Sequence, residues 1–316
     1  MIPFASANSI IAGMKHLCFF LLFPFALQAN EDRLVLLGAS YGKNILAICE
    51  ADGTVIWKHQ TGGPKAKNNH TGHHDVQLLK NGNILFHDSW RITSEVTLKK
   101  EIVWKHESKG ANVHAFQRLA NGETMIAESG VGRIVHLGKE GKVTKEVPLP
   151  KNGRHQTRMV EILPNGHYLA CAENPGVVTE YDATGKIVWE YPTKTRVFGA
   201  IRLKNGNTLI ASGSGNSILE VSPDKKVVWE MKKKIPGTDI ELAWTTDLQE
   251  LDNGHLVIGN CHAGPRNPQI VELDKDRKVV WTFDDFELVG NGLACWEILD
   301  AKQSAQVRKM LGKSKE

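Results

Sequence analysis

Apolar and polar residues alternate along most of the chain with a period of two, as in the segment VQLLKNGNILF. This is the period at which successive side chains of a β-strand point to opposite faces of a sheet. Gly, Asn and Asp, which favour turns, separate the alternating runs. Helical periodicity is absent until AKQSAQVRKML near the C-terminus. The pattern predicts an all-β fold over residues 30–300, followed by a polar tail, 301–316, that can form a short helix.

The alternating runs repeat around Asn-Gly pairs. Five Asn-Gly pairs lie between two alternating runs, at 81–82, 121–122, 165–166, 205–206 and 253–254. Successive pairs are 40, 44, 40 and 48 residues apart. Asn and Gly adopt positive φ at low cost, which the two-residue turn of a β-hairpin requires. Each pair therefore predicts the turn of a hairpin within a repeated unit.

Each unit continues into a second hairpin whose last strand usually carries a tryptophan. The sequences that end in this residue are EADGTVIW, LKKEIVW, DATGKIVW, SPDKKVVW and DKDRKVVW. The unit LGKEGKVTKEV instead has Lys145 at this position. A large flat side chain on an outer strand buries much apolar area. We therefore expect the tryptophans to pack between neighbouring units.

Four strands in roughly 40–48 residues correspond to one blade of a β-propeller. The five complete units span roughly 74–105, 113–147, 157–191, 197–231 and 245–283. Three strands precede them (RLVLLGAS, NILAICE and TVIWKH), and one strand, LACWEILD, follows them. Joined, these four strands make a sixth blade and leave no open edge. The sequence predicts a single six-bladed β-propeller of four-stranded blades, closed by N-terminal strands that pair with a C-terminal strand.

Composition places the chain among ordinary globular proteins. It has 316 residues, of which 41% are hydrophobic and 23% charged. A net charge of +4 is too small to predict a nucleic-acid partner. Beyond the N-terminal segment, four cysteines are scattered without the spacing of a disulfide scaffold: Cys49, Cys171, Cys261 and Cys295.

The N-terminus has the pattern of a signal peptide. Lys15 is followed by the short apolar run LCFFLLFPFAL and then by the small residue Ala29. The run is shorter than the roughly 20 apolar residues that a membrane-spanning helix needs, and Pro24 interrupts it. We expect residues 1–29 to be removed, with Met14 as a candidate start of translation. The mature protein is then periplasmic or secreted and has no membrane span.

Aligning the blades on their turn asparagines identifies candidate residues at one mouth of the central channel, because the innermost strand of each blade lines it. Seven residues before the turn, the six blades carry His74, His114, Arg158, Phe198, Thr246 and Ala294. Two residues earlier they carry Gly72, Asn112, Gln156, Arg196, Trp244 and Gly292. Loops leaving the second strands add Asp88, Glu128, Glu173, Ser212 and the run Asn260-Cys261-His262.

These residue types suit a small anionic or aromatic ligand. Arginine donates in a fork to sulfate, phosphate or carboxylate, and histidine acts as nucleophile or acid–base near neutral pH. We take His74, His114 and Arg158 as candidate catalytic residues. The candidate ligand-binding residues are Arg196, Trp244, Asp88, Glu128, His155 and His262. Two alternatives stay open: the side chains merely line a hydrated channel, or a protein binds this face.

A metal site is not expected, although His70, His73 and His74 stand close together with Asp75 and Asp88 nearby. Successive strand residues point to opposite faces, so His73 and His74 reach one ion only if the loop bends. No cysteine pair has the spacing of a zinc site.

The endings DATGKIVWEY and EADGTVIWKH resemble PQQ-like (quinoprotein-like) β-propeller repeats, and the resemblance covers nearly the whole mature chain. The resemblance implies a β-propeller fold. We expect no quinone cofactor, because the calcium-binding and quinone-binding motifs of the eight-bladed quinoprotein dehydrogenases are not visible in this sequence.

The segment HHDVQLLKNGNIL is similar to segments of bacterial aryl-sulfate sulfotransferases, which are exported six-bladed propellers. In that family a channel histidine is transiently sulfated and passes the group to a phenol. The similarity implies that Arg158 holds sulfate oxygens and that His74 or His114 is the nucleophile, with His155 and His262 as further candidates. The chain departs from the family in lacking an extra N-terminal β domain and in having Phe198 and Thr246 at matched ring positions.

Three functional hypotheses follow. The favoured one is an exported propeller that binds a ligand or a protein on its channel face, because no catalytic motif is complete. The second is an arylsulfotransferase-like enzyme that transfers a sulfuryl group through a channel histidine. The third is a scaffold of an outer-membrane assembly complex, which a stable protein partner would reveal.

Overall fold

The structure, a computed structural model, describes residues 32–62, 72–110, 112–150 and 156–313. It contains six sheets of four antiparallel strands each, which confirms the predicted six-bladed β-propeller. The predicted signal peptide, residues 1–29, lies outside the described residues. Among the described residues, no helix is both long enough and apolar enough to cross a membrane.

The blades are numbered around the ring, and their strands are given from the channel outwards. Blade 1 consists of β24 (Leu293–Ile298), β1 (Leu34–Ala39), β2 (Ile45–Glu50) and β3 (Val55–Gln60). Blade 2 consists of β4 (Val76–Leu78), β5 (Ile84–His87), β6 (Ile92–Val96) and β7 (Ile102–Glu107). Blade 3 consists of β8 (Val113–Arg118), β9 (Thr124–Glu128), β10 (Arg133–Leu137) and β11 (Val143–Pro148).

The other three blades have the same order of strands. Blade 4 consists of β12 (Thr157–Ile162), β13 (Tyr168–Ala172), β14 (Val177–Tyr181) and β15 (Ile187–Pro192). Blade 5 consists of β16 (Gly199–Arg202), β17 (Thr208–Ala211), β18 (Ser217–Val221) and β19 (Val227–Lys232). Blade 6 consists of β20 (Trp244–Glu250), β21 (Leu256–Cys261), β22 (Ile270–Leu273) and β23 (Val279–Phe283).

The ring closes in blade 1, where the two ends of the chain meet. β24 pairs antiparallel with β1, and Leu37 lies opposite Trp296. A short helix, α1 (Phe286–Val289), precedes β24, and a longer one, α2 (Ala301–Met310), follows it. In α2 the Ser304 hydroxyl accepts a hydrogen bond from the Leu34 amide at 2.9 Å. The closure confirms the predicted pairing of N-terminal and C-terminal strands.

The core lies in apolar layers between neighbouring blades. One layer joins Leu34 and Ile48 of blade 1 to Ile84 and Phe86 of blade 2. The repeated tryptophans tie the same interfaces together: Trp189 Nε1 in blade 4 donates to the Pro223 carbonyl of blade 5 at 3.0 Å. Equivalent bonds run from Trp57 to Leu98 at 2.8 Å and from Trp281 to Ala51 at 2.9 Å. The expected packing of tryptophans between blades is therefore present.

The interface between blades 3 and 4 uses a different set of side chains, as the missing tryptophan requires. Lys145 Nζ donates to the Tyr168 hydroxyl at 3.0 Å, and that hydroxyl lies 2.8 Å from His136 Nε2. A polar triad thus takes the place of the tryptophan at this interface. All four cysteines of the described residues are buried and unpaired.

Candidate functional site

The channel opens at one end into a cavity of about 200 Å³, here called the mouth cavity. Its lining comes from the loops that leave the second strands and from the starts of the inner strands. The Asn-Gly turns lie at the opposite end of the ring. The cavity is lined by Tyr41, His74, Arg158, Glu173, Arg196, Phe198, Trp244, Thr246, Cys261, His262 and Ala294.

β-Bulges in the inner strands account for the direction of several of these side chains. The pairing register shifts between Val113 and Phe116 in β8 and between Thr157 and Val160 in β12. It shifts again between Thr245 and Leu248 in β20. A bulge adds one residue to a strand and re-aims its side chains. His114, Arg158 and Thr246 lie in these bulges. Arg158 and Thr246 line the mouth cavity, and His114 contacts Arg158.

A buried carboxylate joins the two arginines of the site. Arg158 binds Glu173 Oε2 through Nε and Nη2, and Arg196 Nη2 binds Glu173 Oε1. The Glu173 side chain is 1% exposed, that of Arg158 15% and that of Arg196 54%. Two guanidinium charges thus face one carboxylate. The three groups carry a net positive charge, which favours an anion in the cavity.

Two histidines lie against this ion-pair network. The His74 and His114 rings meet edge to face, with centroids 4.5 Å apart. Arg158 Nη1 lies 2.8 Å from His114 Nε2. Burial is the main cause that holds the pKa of both histidines well below the ordinary value, and the Arg158 charge acts in the same direction. Both imidazoles are therefore neutral at neutral pH.

Aromatic side chains form another part of the wall. The Arg196 guanidinium stacks over the Trp244 ring at 5.1 Å from its centroid. His262 lies 6.4 Å from Trp244 and 5.6 Å from Tyr41, measured between ring centroids. Phe198 lies 6.1 Å from His74. The cavity therefore combines cationic donors with aromatic surfaces, the combination that an aryl anion requires.

The structure brings together most of the candidate residues. His74, Arg158, Arg196, Trp244 and His262 line the mouth cavity, and His114 contacts His74 and Arg158.

Two other candidates do not line the mouth cavity. Asp88 does not line the cavity, and Glu128 instead binds Arg133 Nε of its own blade at 2.6 Å. His155 lies outside the described residues.

The neighbouring histidine of the HHD run points away from the site. His73 Nε2 lies 2.6 Å from the Thr61 hydroxyl, and its amide donates to Ser40 Oγ at 2.9 Å. His70 lies outside the described residues. In the part of the chain that the structure describes, no three His, Cys, Asp or Glu side chains are grouped to hold a metal ion.

Six of the eleven lining residues, Glu173 and Tyr41 among them, have no predicted catalytic or ligand-binding role. Glu173 belongs to the aligned loops. Tyr41 lies in the loop that leaves β1, the second strand of the composite blade. The same alignment, extended to that blade, identifies it.

Comparisons with known proteins support the fold. No family model matches the chain, and no curated protein matches its sequence. A protein of unknown function from Bacteroides caccae is 22% identical, with a TM-score of 0.73 over 85% of this chain and 99% of that one. A streptogramin B lyase is 14% identical, with a TM-score of 0.57 over 81% of this chain and 84% of that one.

A catalytically inactive virginiamycin B lyase from Staphylococcus aureus, solved with quinupristin, is similar as well. It is 15% identical, with a TM-score of 0.56 over 82% of this chain and 87% of that one. The structural similarity shows a shared β-propeller architecture, and at such low sequence identity it shows the fold alone. Fold and cavity together define a six-bladed propeller with a cationic, aromatic-walled cavity at one mouth of its channel.

Proposed function

We propose that this protein is a binding propeller whose mouth cavity takes a small ligand with an anionic group attached to an aromatic part. The observation that carries the proposal is the pair of arginines on one buried carboxylate, Glu173. Among the described residues that line the cavity, no second carboxylate balances the net positive charge of these three groups. A bound anion supplies the missing negative charge.

The arginines also keep hydrogen-bond donors for a ligand. A guanidinium has five N–H groups. Arg158 directs Nε and Nη2 to Glu173 and Nη1 to His114, and each terminal nitrogen has a second N–H. The cavity volume of about 200 Å³ is below the roughly 300–1,000 Å³ of sites for drug-sized ligands. A sulfate, phosphate or carboxylate on a single ring suits this volume.

We place this binding outside the cytoplasm and assign the chain to the PQQ-like repeat propellers. The signal-peptide pattern of residues 1–29 supports export, and the repeated endings such as DATGKIVWEY support the assignment. No quinone takes part, and the channel face is also the surface on which a protein partner would bind.

An arylsulfotransferase-like activity is the second candidate, and the neutral histidines favour it. A neutral imidazole has a lone pair that can attack sulfur. His74 lines the cavity beside Arg158 and is the candidate nucleophile. Attack forms an N–S bond and breaks the aryl S–O bond, releasing a phenolate. The oxygen of an acceptor phenol then forms a new O–S bond as the N–S bond breaks, which restores the neutral imidazole, and the proton of the phenol passes to solvent.

The test is a calorimetric titration of the mature chain with 4-nitrobenzoate, 4-nitrophenyl sulfate and neutral nitrobenzene. We expect the two anions to bind and nitrobenzene not to bind. Arg158→Gln should weaken anion binding at least about tenfold, the loss of one charged hydrogen-bonding group. Arg133→Gln is the matched control, because it removes the same charge from the Arg133–Glu128 pair, which does not line the cavity. Equal binding of the neutral compound would overturn the proposal.

Release of nitrophenol from 4-nitrophenyl sulfate separates the two candidates. Release that depends on added phenol and is lost in His74→Ala would show sulfuryl transfer. Binding of the sulfate without release leaves the protein a binding propeller.

A further inference from the structure

A second, larger opening lies next to the mouth cavity. This outer cleft of about 600 Å³ is bounded by residues 239–243 before β20 and residues 262–267 after β21, with Asn216 at its edge. His262 lines both the mouth cavity and the outer cleft. The two spaces therefore adjoin at this side chain.

The outer cleft depends on an insertion that is visible in the repeat. Among the five Asn-Gly pairs of the repeat, the last two are 48 residues apart, whereas the others are 40 or 44 apart. The added length lies between β19, which ends at Lys232, and β20, which begins at Trp244. Blade 6 thus carries an extra wall on the face where the mouth cavity opens.

Buried hydrogen bonds fix the walls of the outer cleft. Asn260 is fully buried; its Oδ1 accepts from the Ala243 amide at 2.8 Å, and its Nδ2 donates to the Glu241 carbonyl at 2.9 Å. Asn267 Oδ1 accepts from the Glu241 amide at 2.8 Å and so joins the two loops. Ligand sites are usually preformed in this way.

His262 is held in an uncommon backbone conformation at the boundary between the two spaces. Its φ is 61°, in the left-handed region that residues other than glycine seldom occupy. Its amide donates to the Asn291 carbonyl at 3.2 Å. This hydrogen bond fixes the backbone of His262 at the boundary between the two spaces.

Charges differ between the two spaces. The mouth cavity holds two guanidiniums, whereas the outer cleft holds Glu241 and Arg266, both exposed and of opposite sign. Asp239, also in the cleft, is paired with Lys234 at 2.8 Å. The outer cleft is therefore polar and close to neutral, and it offers both hydrogen-bond donors and acceptors.

We infer that the ligand is bipartite: an anionic aromatic head lies in the mouth cavity, and an uncharged, amide-bearing chain extends past His262 into the outer cleft. This inference rests on the proposed function and adds the class of ligand. A cavity of about 200 Å³ is sized for the head alone, and the adjoining space of about 600 Å³ is sized for the chain. The charges of the cleft nearly cancel, and the cleft offers both hydrogen-bond donors and acceptors. A chain of uncharged amide groups therefore suits it better than a charged chain, which would lose hydration without a counter-charge.

The test compares two probes with one head: 4-aminobenzoate, and the same compound acylated on its amine with acetyl-glycyl-glycine. Calorimetry on the mature chain should give about tenfold tighter binding of the extended probe. Ala243→Phe places a bulky side chain in the outer cleft and should bring the ratio of the two dissociation constants close to one. Ala120→Phe, beside an Asn-Gly turn at the opposite end of the ring, is the matched control and should leave the ratio unchanged.

The outcomes separate this inference from the proposal on which it rests. Equal affinity of both probes in the unmodified protein, or an unchanged ratio in Ala243→Phe with its melting temperature preserved, overturns the bipartite ligand alone. Absence of binding by either probe, or binding that survives Arg158→Gln, overturns the anion site and the bipartite ligand together.

Discussion

Glu173 and Arg158 form an ion pair in which the carboxylate is buried almost completely and the guanidinium faces the mouth cavity. Arg196 binds the other oxygen of the same carboxylate. Glu173 therefore sets the positions of both arginines, and the ion-pair network is at once a structural element and the source of the positive charge of the cavity.

Glu173→Gln should destabilise the protein, because it leaves the buried Arg158 charge without a counter-charge. Breaking such a pair costs about 3–5 kcal/mol. Urea denaturation measures the change. Glu146→Gln is the control, because Glu146 is 53% exposed in its pair with Arg133 and an exposed pair is worth about 0–1 kcal/mol.

Added sulfate should restore part of the stability of Glu173→Gln, because an anion between the two arginines replaces the lost carboxylate. A matched concentration of chloride is the comparison. If sulfate stabilises the unmodified protein and the variant equally, the two arginines do not form the anion site.

Local signals explain why the fold could be predicted from the sequence. Each of the five Asn-Gly pairs between alternating runs lies in a turn, in which the glycine has a positive φ and the asparagine does not. The alternation on both sides predicts the strands. The three strands at the N-terminus and the single strand at the C-terminus then had to combine into one four-stranded blade. Lys145 marked the one interface where the tryptophan is missing, but its replacement by the Tyr168–His136 contact involves residues from two blades and has no local signal.

The site could be predicted only in part, because its geometry depends on pairing between strands. A bulge is a property of two strands, and period-two reasoning does not reveal which residue of β8 or β12 is added. Glu128 and Glu173 occupy similar loops, but β10 begins with Arg133 whereas β14 begins with Val177. Glu128 therefore binds within its own blade, while Glu173 binds the cavity arginines.

Trp189→Phe tests the contribution of the repeated indole hydrogen bond to the packing of neighbouring blades. The change keeps most of the apolar area but removes the bond to the Pro223 carbonyl at 3.0 Å. We expect a loss of about 1 kcal/mol in the free energy of unfolding, measured by urea denaturation. Lys186→Phe, in the turn before the same strand, is a comparison that removes no such bond. An unchanged midpoint for Trp189→Phe would show that the hydrogen bond does not stabilise the interface.

His87→Gln tests the effect of a buried neutral histidine on acid stability. Burial lowers the pKa of His87 to about 3 from the ordinary histidine value of 6.5. Its contribution to stability is complete above pH 6.5 and is lost as the pH falls towards 3, because the unfolded chain takes up a proton that the folded protein rejects.

Between pH 6.5 and 4.5, the stability of the unmodified protein should therefore fall more steeply than that of His87→Gln, by about 1.4 kcal/mol per pH unit. Urea denaturation across this range measures both slopes. Between pH 7 and 8 the slopes should coincide, because His87 is neutral in both states. Parallel slopes at the lower pH would contradict the prediction.

The channel carries a repeated hydrogen bond that uses either glutamine or glutamate. Gln77 Oε1 accepts from the Arg118 amide of the next blade at 2.8 Å, and Gln249 Oε1 accepts from the Ile298 amide at 2.9 Å. Glu161 Oε2 accepts from the Arg202 amide at 2.9 Å in the same way. Burial is the main cause that raises the pKa of Glu161 from 4.5 to about 7.

Glu161→Gln should therefore stabilise the protein at pH 8 and have little effect at pH 5. Between pH 4.5 and 7 the folded protein holds a proton that the unfolded chain has lost, so this group's contribution to stability falls as the pH rises. Glutamine makes the same bond without a charge to desolvate, and we expect a gain of about 1–3 kcal/mol at pH 8. Gln249→Glu is the reciprocal control and should destabilise at pH 8 more than at pH 5. Urea denaturation at both pH values measures the four differences, and a gain that does not change with pH would show that Glu161 is not protonated in the folded channel.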